Sequence, residues 1–111
     1  MSRRALARSR HYVVEHEYES AWVTGPDGCR VAIGEFYGDP AVALIDAAER
    51  WCAVAGEGVI VYRLGPAGAG VDYFRSAGGT VWITGLRQTG PFALELLCED
   101  GTARVLDFGH A

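Results

Sequence analysis

The side chains that could do covalent or metal chemistry in this sequence are Cys29, Cys52, Cys98, His11, His16, His110 and Ser76. Their spacing argues against such chemistry. The cysteines are odd in number, widely spaced and form no C-x-x-C pair, which fits reduced, mostly buried thiols better than a disulfide framework. A zinc site needs four ligands, and His11 and His16, five residues apart along a strand-like stretch, fall on opposite faces. Nucleophilic catalysis needs a nucleophile, a base and an orienting group. Ser76 lies in the turn-like Arg75-Ser76-Ala77-Gly78-Gly79 without a G-x-S-x-G setting, and Cys52 and Cys98 lie in apolar segments where a thiol is usually inert. The glycine-rich stretch 65–70 lacks the Lys-Ser/Thr of a phosphate-binding loop. No catalytic group, cofactor or metal is expected, and the chain is expected to act by binding a partner.

Charge says which partner. The chain of 111 residues carries a formal −4, but residues 1–10 hold four arginines and no acid. The remainder sets six arginines against fourteen acids, a net of −8. An acidic body disfavours nucleic acid, whose affinity comes from cations on phosphates. It suits a basic protein, which complementary charge would steer and orient. Glu15, Glu17 and Glu19 read as an acidic comb on one face of a strand, facing such a partner; the plainer reading is a solvated face. The cluster Gly34-Glu35-Phe36-Tyr37-Gly38-Asp39-Pro40 reads as a strand end turning sharply. It also places Tyr37 and Asp39 where they could touch a partner, with Tyr37, Trp51 or Trp82 as an exposed anchor, because Tyr and Trp dominate binding hot spots.

These residues need elements to hold them, and the elements read mostly as strands. Half the residues are hydrophobic, a folding composition for one domain. Alternation is clean from 11 to 19, with Tyr12, Val14, His16 and Tyr18 on one face. Further strands are read at 20–24, 30–37, 59–64, 71–75 and 81–86, separated by Gly/Pro/Asp turns. Residues 92–98 and 103–108 flank Glu99-Asp100-Gly101-Thr102, a hairpin whose Asp-Gly supplies the positive φ of a tight turn. Residues 1–10 read as a flexible Arg-rich tail, and 11–111 as one β-rich domain. The ambiguous segment is 40–56. Asp39 as N-cap, Pro40 at the first helical position and abundant alanine favour a helix over about 40–53; two buried strands joined by residues 46–50 are the other reading. No apolar run approaches the ~20 residues that span a bilayer, and the N-terminus has no apolar signal segment, so a cytoplasmic location without membrane contact is expected.

Residues Ile33-Gly34-Glu35-Phe36-Tyr37-Gly38-Asp39-Pro40, then Ala43-Leu44-Ile45-Asp46, then Trp51-Cys52-Ala53-Val54-Ala55-Gly56-Glu57-Gly58-Val59-Ile60-Val61-Tyr62 resemble small bacterial immunity proteins of polymorphic or contact-dependent toxin systems. The similarity extends loosely over residues 30–108 and carries no diagnostic motif or mapped contact residue. The resemblance implies that 41–56 is a β-hairpin, with Asp46 opening its turn and Trp51 starting the return strand. On that basis a mainly β single domain of short antiparallel strands is expected, and α+β with one helix is the alternative. The resemblance also implies a function: binding a cognate, basic toxin domain and occluding its active or substrate-binding surface. The rival expectation is a small-ligand or regulatory β-domain with a pocket lined by Trp22, Trp51 or Trp82.

Overall fold

The computed structural model describes residues 3–65, 68–76 and 79–109. His110 and the centre of the 75–79 stretch lie outside them, as do residues 66 and 67 of the glycine-rich stretch. Among the described residues there are thirteen antiparallel strands and no helix, hence no helix long and apolar enough to cross a membrane.

Three successive meanders make three sheets. The first joins β1 (Arg4–Arg8), β2 (Val13–Glu17), β3 (Ser20–Thr24) and β4 (Arg30–Glu35). The second joins β5 (Val42–Ile45), β6 (Trp51–Gly56), β7 (Gly58–Arg63) and β8 (Gly70–Tyr73). A two-residue ribbon, β9 (Arg75–Ser76) with β10 (Gly79–Thr80), leads to the third: β11 (Ile83–Gly90), β12 (Ala93–Cys98) and β13 (Ala103–Asp107). The Asp100-Gly101 turn forms as read, with Gly101 at φ +90° and its N–H on the Cys98 carbonyl at 3.0 Å.

The second sheet is the middle layer, and β6 is buried along its whole length. Successive side chains of a strand point to opposite faces, so this one strand feeds two cores. Trp51, Ala53 and Ala55, with Val59 and Val61 of β7, pack against Ile83, Leu94, Leu96 and Leu106 of the third sheet. Cys52 and Val54, with Ile60, pack against Val14, Ala21, Val23 and Phe36 of the first. Glycine permits the closest approach between layers: a Cβ on Gly34 of β4 would lie 2.7 Å from Cδ1 of Ile60. Trp51 is fully buried, donates its indole N–H to the Pro91 carbonyl at 2.8 Å, and meets the Phe108 ring edge-on.

The mainly β expectation holds, and its alternative, a helix over about 40–53, does not form: β5 and β6 pair from Val42↔Ala55 to Ile45↔Cys52. Alanine there serves close packing on both faces of a sheet, and that burial outweighs its local helix preference of a few tenths of a kcal/mol per residue. Nor are residues 1–10 a flexible tail. Arg4–Arg8 pairs with β2, with a register irregularity between Ala5 and Ala7. Leu6 and Ala7 pack on the core beneath the first sheet while Arg4 and Arg8 face outward.

The turn between β5 and β6 holds the layers together through a buried carboxylate. Asp46 is buried, and its oxygens accept the Arg50 Nε–H (2.6 Å) and Nη2–H (3.0 Å), the Gln88 amide (2.7 Å) and the Arg50 backbone N–H (3.0 Å). Burial alone would raise this carboxyl; the guanidinium, amide and backbone donors together outweigh it and hold the group well below the usual carboxylate range. Gln88 belongs to β11, so the bond ties the second sheet to the third. In the same turn Glu49, at φ +59°, ties the second sheet to the first. Its carboxylate accepts the Ser9 hydroxyl, the His11 backbone N–H (2.9 Å) and His11 Nδ1–H (2.7 Å), and these partners, Ser9 foremost, hold it down at about 2.

Both carboxyls are depressed in the folded chain relative to their ordinary values of 3.8 and 4.5. The stability they contribute is therefore full above about pH 4.5 and lost as the pH falls from there toward 2. Asp46→Ala removes the carboxylate acceptor of Arg50 and Gln88 and leaves them the Pro91 and Gly90 carbonyls. It is expected to cost about 3 kcal/mol at pH 7, the low end for a broken buried pair because Arg50 stays partly solvated, and to flatten the acid limb of stability. Urea unfolding at pH 7 and pH 3 reads both effects; a loss below about 0.5 kcal/mol, the range of ordinary surface substitutions, would show that the turn does not need this charge.

Candidate functional site

At the opposite end of β6 from the Asp46 turn the chain reverses over Glu57, between Gly56 and Gly58 (φ +70°). A six-residue strand spans about 20 Å, so the two turns sit on separate ends of the middle sheet. All three sheets meet again at this reversal. The Gly58 N–H donates to the Val81 carbonyl at 2.8 Å and Glu57 bridges Trp82, which leads into the third sheet. From the first sheet, the Tyr37 N–H donates to Glu57 Oε1 at 2.8 Å, the Gly38 N–H to Glu19 Oε2 at 2.6 Å and the Phe36 N–H to the Glu19 carbonyl at 2.8 Å.

This pinned backbone presents aromatic rings to solvent. Tyr37 is 74% exposed, Tyr18 64% and Trp82 43%. Tyr37 and Trp82 meet edge to face at 6.4 Å between ring centroids. Tyr18 stands in the two-residue turn where Glu17 of β2 pairs with Ser20 of β3, next to Glu19, which holds the Gly38 and Phe36 N–H groups. Next to Trp82 the surface sinks into a hollow of about 460 Å³, walled by Val81, Cys98, Glu99, Thr102 and Arg104 among others. Glu99 is fixed against Trp82 by its own N–H, which donates to the Trp82 carbonyl at 2.8 Å.

Of the five residues expected to meet a partner, Glu19, Tyr37 and Asp39 fall together at this corner, while Glu15 and Glu17 do not. The acidic comb is a correction. Glu15 and Glu17 share the outer face of β2, but the strand ends at Glu17, and Glu19 belongs to the turn and caps Gly38. Glu15 is also engaged, by Arg3 Nε at 3.4 Å and by the Trp22 indole N–H at 3.3 Å. The sequence reading missed Tyr18 and Glu57. The Gly56-Glu57-Gly58 triplet was the available signal, since a non-glycine residue held between two glycines marks a tight reversal. Among the tryptophans offered as anchors or pocket walls, Trp51 is in the core, and Trp22 is buried with the Arg30 guanidinium 4.5 Å over its ring. Trp82 is the accessible one.

Among the described residues the chemically active side chains do not assemble into a nucleophilic site. Burial pushes the Cys52 thiol up to about 12. Exposed Cys29 is raised by the hydrogen bond and charge of Asp27, which favours the thiol over the reactive thiolate. Ser9, His11 and Glu49 do meet, but the carboxylate stands between hydroxyl and imidazole, so the imidazole has no contact through which to take the serine proton. His16 is buried, with Nδ1 donating to the Tyr18 carbonyl at 2.9 Å. Among the described residues no group of three or more His, Cys, Asp or Glu side chains is arranged to hold a metal ion.

Tyr18 sits at φ +52°, a left-handed conformation that costs a residue with a Cβ roughly 1–2 kcal/mol. Asparagine adopts it far more readily, and the His16 bond uses only the Tyr18 backbone carbonyl. Tyr18→Asn is therefore expected to raise stability by about 0.5–1 kcal/mol in urea unfolding. A loss of stability would mean that the exposed ring contributes packing that outweighs its strained backbone.

Comparison of the chain with protein-family models, with curated proteins and with solved structures returned no match, so the functional reading rests on the geometry of this corner and on the sequence resemblance alone.

Proposed function

We propose that this chain is a stoichiometric inhibitor, an immunity protein that binds a basic toxin domain through the Tyr18–Tyr37–Trp82 corner and covers its active or substrate-binding surface. The observation that carries the reading is the combination of exposed aromatics with a backbone that is already fixed. Aromatic anchors dominate binding hot spots, and a surface held by Glu19, Glu57 and the Val81 carbonyl loses little freedom on docking. The carboxylates of Glu19, Asp39, Glu99 and Asp100 give the same corner its charge, which suits a cationic partner and would speed its encounter. A nuclease-type toxin, which must itself hold phosphates, has such a surface. The docking face of this reading is the corner and not the outer face of β2.

The test is capture of the tagged chain at low salt from cells that make candidate toxins, followed by titration of the captured domain and assay of its toxicity. The expected result is one basic domain, bound 1:1, with its activity abolished at one equivalent and its association slowed by added salt. Tyr37→Ala is expected to weaken that binding about 30-fold, the effect of a ~2 kcal/mol hot spot, while unfolding stays within about 0.5 kcal/mol of the parent. Capture of no domain, or of one whose activity persists at full occupancy, overturns the reading.

The small-ligand reading has one observation in its favour. A second hollow of about 370 Å³ lies between the β3–β4 turn and the end of β7, lined largely by apolar groups of Tyr12, Val23, Val31, Tyr62 and Leu64. A saturable rise in melting temperature with a small apolar ligand, lost in Tyr62→Ala, would favour it.

A further inference from the structure

We infer that the hollow beside Trp82 receives a cationic side chain of the partner, an arginine or lysine, with the indole as its floor and Glu99 as its counter-charge. This rests on the reading of the corner as a protein-binding surface and adds the chemistry of its occupant. The hollow, at about 460 Å³, falls in the range of small-ligand pockets and is far larger than a bound water needs. Its apolar wall is Val81 and the Trp82 ring, and a guanidinium or ammonium is drawn to an indole face more strongly than to any other aromatic side chain.

The charged wall decides the sign of the occupant. Asp100 is engaged within its own turn, accepting the Thr102 N–H at 2.9 Å and the Thr102 hydroxyl at 2.6 Å, and Arg104 adds its charge to lowering the Asp100 carboxyl. Arg104 in turn lies over the Phe74 ring at 5.6 Å. Glu99 is exposed and has no ion pair among the described residues. An anion would meet the Glu99 carboxylate, and a neutral side chain would leave that carboxylate without an ion pair. A cation satisfies both the ring and the carboxylate, and an arginine can do so while offering its planar face to the indole and its N–H groups to Glu99.

The experiment uses the full chain labelled with 15N and follows the three indole N–H resonances, that of Trp82 being assigned with Trp82→Phe. Trp22 and Trp51 are internal references, since their indoles are tied to Glu15 and Pro91. Nα-acetyl-arginine amide is titrated at low salt, with the neutral isostere Nα-acetyl-citrulline amide as the comparison. The expected result is a saturable shift of Trp82 with arginine alone, suppressed by high salt and weakened on the order of tenfold in Glu99→Gln. An immobile Trp82, an equal response to citrulline, or an unchanged response in Glu99→Gln overturns the inference. The two readings fail separately. If arginine shifts Trp82 but no toxin domain is captured, the hollow is a cation site and the inhibitor reading falls. If a domain is captured and inhibited while arginine leaves Trp82 unmoved, only the cation site falls.

Discussion

The fold turns on a single strand that has no outside. Every residue of β6 is buried, so Trp51, Ala53 and Ala55 must satisfy one core while Cys52 and Val54 satisfy another. That requirement explains the composition around it. The strand's polar backbone is paired on both sides, by β5 and by β7, because an unpaired buried N–H or C=O would cost about 1–3 kcal/mol. Its side chains are small except at Trp51, where the third sheet leaves room between Pro91 and Phe108 for an indole and an acceptor for its N–H. Two outer meanders that could not bury their apolar faces alone gain one shared layer.

A strand buried on both faces transfers the polar work to its ends, and the two ends do different work. At the Asp46 end the charges are internal: Arg50 answers Asp46, and Glu49 is closed by Ser9 and His11. At the Glu57 end the carboxylates accept backbone N–H groups from the loop after β4. Amide donors satisfy the geometry of a carboxylate without cancelling its charge. One end is therefore a staple between layers, and the other is a fixed platform beneath exposed rings. The left-handed Tyr18 belongs to the second end, where a strained residue is what a functional surface often retains.

How much of this was legible in the sequence depended on how local the deciding physics was. The Asp100-Gly101 hairpin and the inward face of Val14 and His16 follow from two-residue periodicity and turn chemistry, and both were read correctly. The 40–56 segment was ambiguous because alanine favours a helix locally, while the burial that decides for strand comes from two sheets distant in sequence. The N-terminal residues misled by composition: arginines suggest a solvated tail, yet Leu6 and Ala7 reach a core, and Arg4 and Arg8 need only face out. The comb failed by carrying a strand's alternation past Glu17 into a turn. Glu57 and Trp82 could not be joined from sequence, since their proximity is a consequence of where the middle and third sheets cross.

Under the proposed reading, the distribution of arginines favours the corner over the larger faces as the place for a basic partner. On the outer face of the first sheet Arg3 reaches Glu15 and Arg30 covers Trp22. On the third sheet Arg87 answers Glu95 at 2.9 Å. Arg50 and Arg63 lie over Phe92 near the Asp46 end. These contacts compensate acids, or shield rings, on the surfaces where they occur. Exposed pairs of this kind contribute little to stability, but each one reduces the local field that a partner would sense. Around Glu57 the carboxylates of Glu19 and Glu57 hold backbone N–H groups beside the exposed rings of Tyr37 and Trp82. In the proposed reading, steering by the net negative charge of the body would bring a cationic surface toward the whole molecule, and the exposed rings of the corner would decide where it stops.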